Sequence, residues 1–415
     1  MLLSADWRRQ AMKIEIPETP SRLIAKLYES GYKAYVVGGC VRDTVMGREP
    51  HDYDICTSAR PEEIMRVFRD YHVIPTGLKH GTVTVVANHE PYEITTFRID
   101  GSYSDNRRPD YVEFTSDIEK DLSRRDFTMN AIAYSPVEGI ADPFSGADDI
   151  KNGIIRSVGN PDDRFGEDAL RILRAWRFAC QLGFELEGET KKSTYRNMKL
   201  IRNVSAERIR EELWRMLDYP RRFSVCILQR NPDIIMAAAG CEERALYHPS
   251  ALTGAENCCK TVRMALLLGY NLGMNAAEAD NTMRRLKFDN GTRRSVTELV
   301  GNIDTELVPD SYSIKCVLNK MGEAQCRRLL QLGRITGNCE NPEKTEALLN
   351  RITGENQCCR TTELKINGRD LIEAGIKPGK ELGDILNRLL DMVMRKELEN
   401  DRDELLKEVK HDTNQ

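Results

Sequence analysis

The stretch Val36–Thr57, VVGGCVRDTVMGREPHDYDICT, decides the fold of the N-terminal part of this 415-residue chain. Its apolar start predicts a β-strand that ends in a Gly38-Gly39 turn, and the residues from Val41 onward predict a helix. Glycine at such a turn lets backbone N–H groups approach a phosphate, and the positive end of the helix dipole favours the same anion. Arg42 can add the forked donors of its guanidinium group. The turn and Arg42 are therefore candidates for binding phosphate.

The same stretch carries two carboxylates, Asp52 and Asp54, within the segment HDYDICT. The segment has strand character, and side chains alternate between the two faces of a strand, so we expect both carboxylates to point the same way. Paired carboxylate oxygens suit Mg²⁺, which takes its other ligands from phosphates and water. An Asp-x-Asp pattern alone is common at exposed turns, but the glycine turn upstream favours a metal site at Asp52 and Asp54.

Composition favours a reduced cytoplasmic protein of two to four domains. The balance of 40% hydrophobic and 30% charged residues is ordinary for a globular chain and excludes wholesale disorder. No apolar run approaches the ~20 residues that a membrane-spanning helix needs, and the N-terminus lacks a signal-peptide core. The 12 cysteines include no Cys-x-x-Cys pair, so neither a disulfide framework nor a zinc site is indicated.

The charge pattern allows one local basic surface. A net charge of −4 argues against a generally basic nucleic-acid binder. Residues 191–230, however, contain 11 Lys or Arg and 4 acidic residues, which is typical of either a basic patch or a solvated helical face.

Patterning along the chain predicts an α+β fold. Up to about residue 160, short β-branched or aromatic segments bounded by turn residues alternate with helical segments. Beyond that point amphipathic helices dominate, as in SAERIREELWRML and KELGDILNRLLDMVMRKELE. We therefore expect a small mixed-sheet head followed by an elongated all-α remainder.

Taken together, residues 36–64, VVGGCVRDTVMGREPHDYDICTSARPEEI, resemble the signature of the nucleotidyltransferase superfamily. The form is that of bacterial tRNA nucleotidyltransferases, the class II CCA-adding enzymes and their poly(A) polymerase relatives. The resemblance implies that Asp52 and Asp54 are catalytic and bind the catalytic metal, and that Gly38, Gly39 and Arg42 bind the nucleotide.

A second motif lies in DLSRRDFTMNAIAYSP, residues 121–136. Judged by residue type alone, Arg124, Arg125 and Asp126 form no more than a surface ion-pair cluster. The wording RRDFTxNA nevertheless resembles the family motif for ribose and phosphate recognition. The resemblance implies that Arg125 binds the nucleotide, and that Asp126 and Asn130 contact the ribose or support the site.

Residues 167–177, EDALRILRAWR, predict a helix with one apolar face and a stripe of arginines. On such a helix, Asp168 and Arg171 could form only an exposed ion pair worth about a few tenths of a kcal/mol. The pattern EDxxR also resembles the protein template with which this family selects CTP or ATP. It implies that Asp168 and Arg171 contact the base, and that Arg174 and Arg177 contact phosphates.

The resemblance also suggests four domains. We expect the catalytic head at 1–160, a helical neck with the nucleotide-selecting helix at 161–240, a helical body at 241–345 and a tRNA-binding tail at 346–415. The body resembles an HD domain. We expect it to be degenerate and to lack the metal site, because His248 is its only histidine and a His/Asp metal site needs several ligands.

The implied activity is template-independent addition of CCA to the 3′ end of tRNA from CTP and ATP, with release of pyrophosphate. The polar loop between Arg98 and Asp110 resembles the loop that similar enzymes need to add the terminal A, and the resemblance favours CCA or A addition over CC addition alone. An A-adding tRNA nucleotidyltransferase or a poly(A) polymerase uses the same head and stays an alternative. Outside the enzymes, a non-catalytic RNA-binding module is the other alternative. We expect no membrane partner and favour a monomer.

Overall fold

The computed structural model describes residues 14–101, 111–241 and 244–413. Its contacts divide the chain into two compact units, Met1–Glu243 and Arg244–Gln415. The first unit contains a mixed sheet and helices, and the described part of the second is helical, so the α+β prediction is confirmed. The finer division into four domains stays a prediction. Most of the Arg98–Asp110 loop lies outside the described residues.

One seven-stranded sheet organises the first unit, with the strand order β3-β4-β5-β2-β1-β8-β9. Strands β2 and β5 are parallel, and the other neighbours are antiparallel. Two further pairs, β6 with β7 and β10 with β11, form small separate sheets. The strands are β1 Ala34–Val37, β2 Ile55–Thr57, β3 His72–Gly77, β4 Thr82–Ala87, β5 Glu90–Thr96, β6 Arg98–Asp100, β7 Val112–Phe114, β8 Ala133–Ser135, β9 Gly139–Ala141, β10 Ile154–Ile155 and β11 Glu185–Leu186.

The register of the central strands brings distant parts of the sequence to one end of the sheet. Val36 pairs with Ile55 across β1 and β2, and Ile55 pairs with Ile94 across β2 and β5. All residues of β1 are buried, as expected for a central strand covered on both faces. Asp54 and Glu93 each precede one member of the Ile55–Ile94 pair, so Asp54, just ahead of β2, lies beside Glu93 in the middle of β5.

Helices surround the sheet and complete the first unit. In the helix Glu18–Glu29, the buried Leu23, Ile24 and Leu27 form the apolar face of an amphipathic helix. The helices are α1 Glu18–Glu29, α2 Gly39–Val45, α3 Pro61–Val67, α4 Ile118–Ser123, α5 Gly146–Asn152, α6 Pro161–Glu167, α7 Leu170–Leu182, α8 Gly188–Arg196, α9 Ala206–Met216, α10 Pro220–Phe223 and α11 Pro232–Ala239.

The second unit has its own apolar cores. One gathers Leu371, Leu389, Leu390 and Leu405, and another gathers Ile314, Leu349 and Ile352. The helices are α12 Lys260–Ala265, α13 Ala276–Arg285, α14 Asn290–Gly301, α15 Ser311–Thr336, α16 Pro342–Gly354, α17 Gly368–Glu373, α18 Lys380–Arg395 and α19 Arg402–Thr413. Among the described residues, no helix combines the length and apolarity that crossing a bilayer requires.

Two local predictions were wrong. The segment HDYDICT becomes a strand only at Ile55, because Gly38 turns β1 away and the ladder ends with the Val37 N–H donating to the Asp54 carbonyl at 3.0 Å. Residues 167–177 do not form one helix either, since α6 ends at Glu167 and α7 begins at Leu170. Asp168 lies in the break with an extended backbone, φ −140° and ψ 99°.

Candidate active site

The glycine turn takes the shape that a close approach to phosphate needs. Gly38 precedes α2 with φ +81° and ψ −125°, a region that L side chains rarely adopt. A Cβ at Gly38 would also stand 3.1 Å from Nη1 of Arg125. The turn therefore lies directly beside Arg125, and Gly39 starts a helix whose first backbone amides have no partner within the helix.

Asp52 and Asp54 are both exposed and electrostatically coupled. Nearby protein atoms displace water from Asp54, and the carboxylates of Asp52 and Glu93 add repulsion, so that the pKa of Asp54 is raised above its usual value. Arg125 acts in the opposite direction. The structure thus brings the two predicted carboxylates together with Arg125 next to the glycine turn.

Glu93 is a residue of this corner that sequence reasoning missed. It is exposed on β5, and the parallel pairing of β2 with β5 places it beside Asp54. Alternation within YEITTF could have marked Glu93 as outward-facing, but the sequence does not reveal that β5 is the neighbour of β2.

A buried chain of hydrogen bonds connects the turn to α7. Arg42 donates from Nη1 to Oδ1 of Asn130 at 2.8 Å, and Asn130 donates from Nδ2 to Oδ1 of Asp126 at 3.1 Å. Arg174 on α7 donates from Nε and Nη2 to Oδ2 of Asp126 at 2.8 and 2.6 Å. Four predicted site residues thus meet, although mainly as partners of one another.

The charge of Asp126 depends on this network. Burial by itself would raise the pKa of Asp126, but Arg174, Asn130 and Arg171 outweigh it and hold that pKa at about 2. A carboxyl with a lowered pKa stabilises the fold above its unfolded-state pKa, and loses that contribution as the pH falls through the folded value.

We expect Asp126→Asn to lower the free energy of unfolding at neutral pH by about 2 kcal/mol, because it removes the ionised partner of Arg174. The difference in the free energy of unfolding between the variant and the unmodified protein should stay constant from about pH 8 to 5 and shrink below about pH 4. Urea unfolding at several pH values measures it. Asp70→Asn is the control, since Asp70 is an exposed partner of Lys26 and should cost little. A difference that grows in acid would contradict the assignment.

Arg125 is only weakly held by the protein. Its Nη2 lies 3.4 Å from Oδ2 of Asp121, and its Nε is buried without a hydrogen-bond partner among the described residues. A buried donor left unpaired is costly, and a ligand oxygen can satisfy it. Its position between the Gly38 turn and Asp54 suits a nucleotide phosphate.

Asp168 and Arg171 do not pair with each other. Both oxygens of Asp168 accept from Arg208, at 3.0 and 2.7 Å. The buried Arg171 donates to Oε2 of Glu167 at 2.8 Å and to the carbonyl of Arg124 at 2.9 Å. Arg208 lies in the SAERIREEL segment on α9, which sequence analysis did not include among the site residues.

Arg177 is more buried than expected for a residue of the polar arginine stripe. It is buried, and its Nε donates to Oε2 of Glu212 at 2.6 Å. Loss of water around this guanidinium lowers its pKa, and Glu212 counters that effect. The predicted apolar face of α7 is confirmed by the buried Ile172, Leu173 and Trp176, but the opposite face is also covered.

Three family models match parts of the chain. Residues 34–156 match the poly(A) polymerase head domain, and residues 183–224 match a probable RNA- and SrmB-binding site of polymerase A. Residues 260–409 match a putative tRNA nucleotidyltransferase domain 2.

Curated relatives match nearly the whole chain. CCA-adding enzymes of Lactobacillus helveticus and Ligilactobacillus salivarius are 37% and 35% identical, over 93% and 94% of this chain and 94% and 95% of theirs. The crystal structure of the Bacillus stearothermophilus CCA-adding enzyme in complex with CTP is 31% identical, with a TM-score of 0.77 over 96% of this chain and 98% of that one. The Thermotoga maritima CCA-adding enzyme complexed with tRNA_CCA, at 21% identity, a TM-score of 0.67 and 97% coverage of both chains, supports the fold alone. Similarity over nearly the whole length, joined to the motifs gathered around Asp54, makes this chain a member of the CCA-adding enzyme family.

Proposed function

We propose that this chain adds CCA to the 3′ end of tRNA from CTP and ATP, without a nucleic-acid template and with release of pyrophosphate. The observation that carries the proposal is the meeting of Asp52, Asp54 and Arg125 beside the Gly38 turn. The relatives at 37% and 35% identity, both named CCA-adding enzyme, support this activity. The relative solved in complex with CTP supports CTP as one of the substrates.

Asp52 and Asp54 would hold Mg²⁺. The fit rests on crowded negative charge, because Asp52 and Glu93 both raise the pKa of Asp54 and a divalent cation would relieve that repulsion. Among the described residues, no three potential ligands form a metal site by themselves, which suits a cation completed by phosphate and water oxygens. When bound, Mg²⁺ supplies Lewis-acid activation of the tRNA 3′-hydroxyl and offsets the charge of the triphosphate.

The glycine turn and Arg125 would bind the triphosphate. The amides at the start of α2 face the anion, and Arg125 has an unsatisfied Nε to offer. With the triphosphate held there, the 3′-oxygen attacks the α-phosphorus in line, and the bond from that phosphorus to the oxygen bridging the β-phosphate breaks. Arg125 offsets part of the charge that pyrophosphate carries away.

Asp168 and Arg171 would pair with the edge of the base. A wrong base leaves buried donors or acceptors unpaired, which is the physical basis of the selection. Arg208 orients Asp168, and Glu167 together with the carbonyl of Arg124 orients Arg171, so both groups are placed before a nucleotide binds.

The two remaining arginines differ in their suitability for phosphate. The side chain of Arg174 keeps 33% of its surface exposed while bound to Asp126, so a phosphate oxygen can still reach it. The side chain of Arg177 is 7% exposed and bound to Glu212, which favours a bracing role. Asp126 and Asn130 support the site through Arg42 and Arg174, and a ribose contact would have to share those bonds.

The tRNA would also contact basic segments that lie outside the carboxylate motif in the sequence. Residues 183–224 match a probable RNA-binding model and overlap the basic stretch 191–230. Lysine and arginine side chains there can neutralise RNA phosphates. We also assign the tail, residues 346–415, to tRNA binding, and we propose a cytoplasmic monomer.

The decisive experiment offers tRNA transcripts that end before the CCA, after the first C or after CC to CTP and ATP, separately and together. Products are sized at single-nucleotide resolution. We expect stepwise addition of C, C and A followed by arrest. Extension by A alone would identify an A-adding enzyme, continued A addition would identify a poly(A) polymerase, and tRNA binding without extension would identify an RNA-binding module.

A further inference from the structure

The ring of Phe178 lies beneath three arginines of the candidate active site. This residue of α7 is 4% exposed. The guanidinium carbons of Arg177, Arg42 and Arg174 lie 3.7, 5.2 and 5.5 Å from its ring centroid. Phe127 contacts the ring in an edge-on arrangement, with centroids 5.8 Å apart and planes at 84°. Arg174 and Arg177 of α7 and Arg42 of α2 thus contact a single aromatic side chain.

Each of the three guanidinium groups also has an acidic partner, and these partners differ. Arg42 donates from Nε to Oδ1 of Asp43 at 2.9 Å. Arg174 and Arg177 bind Asp126 and Glu212, as described above. Each of these carboxylates binds one of the three cations, and none of these hydrogen bonds joins two of the arginines to each other.

The aromatic ring supplies what the carboxylates lack. A phenyl ring carries partial negative charge on its faces, and guanidinium groups within about 6 Å are attracted to it. Removal of water lowers the pKa of Arg177, and the charge of Arg174 acts in the same direction, which shows that these cations repel each other. A buried ring in contact with all three offsets that repulsion without adding a competing hydrogen-bond acceptor.

Arg42 makes the contact relevant to the nucleotide. It lies on α2 three residues after Gly39, and its backbone N–H donates to the carbonyl of Gly38 at 3.1 Å, so it is bonded directly to the turn. A second connection from Arg42 to α7 runs through Asn130 and Asp126 to Arg174. The ring is the direct contact between the phosphate-binding turn and the helix that carries Arg171.

We propose that Phe178 is a positioning residue that locks the phosphate-binding turn to the base-selecting helix through Arg42. The inference rests on the proposed function of those two elements. It predicts that weakening the ring's attraction for cations loosens nucleotide binding while leaving tRNA binding unchanged.

The test replaces Phe178 with mono-, di- and trifluorophenylalanine in the full-length chain. Fluorination keeps the shape of the ring and progressively weakens the negative charge on its faces. We expect KM for both CTP and ATP to rise stepwise along the series, on the order of tenfold at its end, with kcat and the Kd for tRNA nearly constant. The same series at Phe165 is the control, because Phe165 is fully buried and no cation–ring contact involves it among the described residues.

Two measurements keep the inference separate from the proposed function. If the unmodified protein adds no nucleotide to tRNA, the proposed function fails. If it adds CCA but KM stays flat along the Phe178 series, or rises equally along the Phe165 series, the inference about Phe178 is wrong. The Tm of the Phe178→Leu variant, compared with that of the unmodified protein, tells whether the ring is also needed for stability.

Discussion

Replacement of Asp54 by alanine should abolish nucleotide incorporation, with a loss on the order of 10³-fold or more. Asp54 is exposed and lies beside Asp52 and Glu93, and its pKa is raised by nearby protein atoms that displace water and by the charges of those two carboxylates. Alanine removes one of the two carboxylates proposed to hold Mg²⁺. The Kd for tRNA should change little, because the proposed tRNA surface lies elsewhere in the sequence.

Single-turnover incorporation of CTP and ATP measures the loss, and filter binding measures the affinity for tRNA. Asp70→Ala is the matched control, since Asp70 is an exposed aspartate of the same unit and its side chain is 70% exposed. An active Asp54→Ala variant would refute the metal assignment. Equal losses of incorporation and tRNA binding would also refute it, since they indicate a general effect on the fold.

Glu93→Gln should reduce incorporation less than Asp54→Ala, because Glu93 is a neighbour of Asp52 and Asp54 and is not one of the two carboxylates proposed to hold the metal.

Asp168→Ala should remove most of the discrimination between correct and incorrect bases. A site that pairs with polar groups on its substrate can discriminate by about 10⁴-fold, and loss of one buried acceptor should cost a large part of that ratio. The expected result is a fall of about 10²-fold or more in the ratio of kcat/KM for CTP over UTP. Kinetics of the addition of each nucleotide to the same tRNA 3′ end measure this ratio.

Arg208→Ala separates the two roles open to Asp168. Both oxygens of Asp168 bind Arg208, so a purely structural Asp168 would give the same phenotype as Arg208→Ala. If Asp168 contacts the base, Asp168→Ala should change the ratio of kcat/KM between nucleotides much more than Arg208→Ala does, because Arg208→Ala keeps the Asp168 carboxylate and only loosens its orientation. Asp163→Ala is the control, because Asp163 is exposed on the neighbouring helix α6. An unchanged CTP-to-UTP ratio in Asp168→Ala would contradict the base-contact assignment.

Local patterns predicted several of the elements that carry the site. The strand before Gly38 and the helix after it were both expected, since an apolar run, a glycine pair and a polar helical segment are read within a few residues. The helices Ala206–Met216 and Lys380–Arg395 were predicted for the same reason. The break at Asp168 was not, because the helical periodicity runs through it unchanged.

The partners of the charged residues could not be predicted from local sequence patterns. The arginines of 167–177 looked like one polar stripe, but Arg174 binds Asp126 and Arg177 binds Glu212. Asp168 binds Arg208, 40 residues away, and not Arg171 on the next turn. Burial decides these pairs, because a guanidinium removed from water needs whichever carboxylate the packing brings to it.

The sequence by itself determined the family, the α+β class and the two neighbouring aspartates, since each depends on residue types at short, regular spacing. Only the tertiary structure decided that Glu93 stands beside Asp54 and that Phe178 lies beneath Arg42. Those contacts join strands and helices far apart in the chain, and strand order and helix packing follow from burial of the whole core.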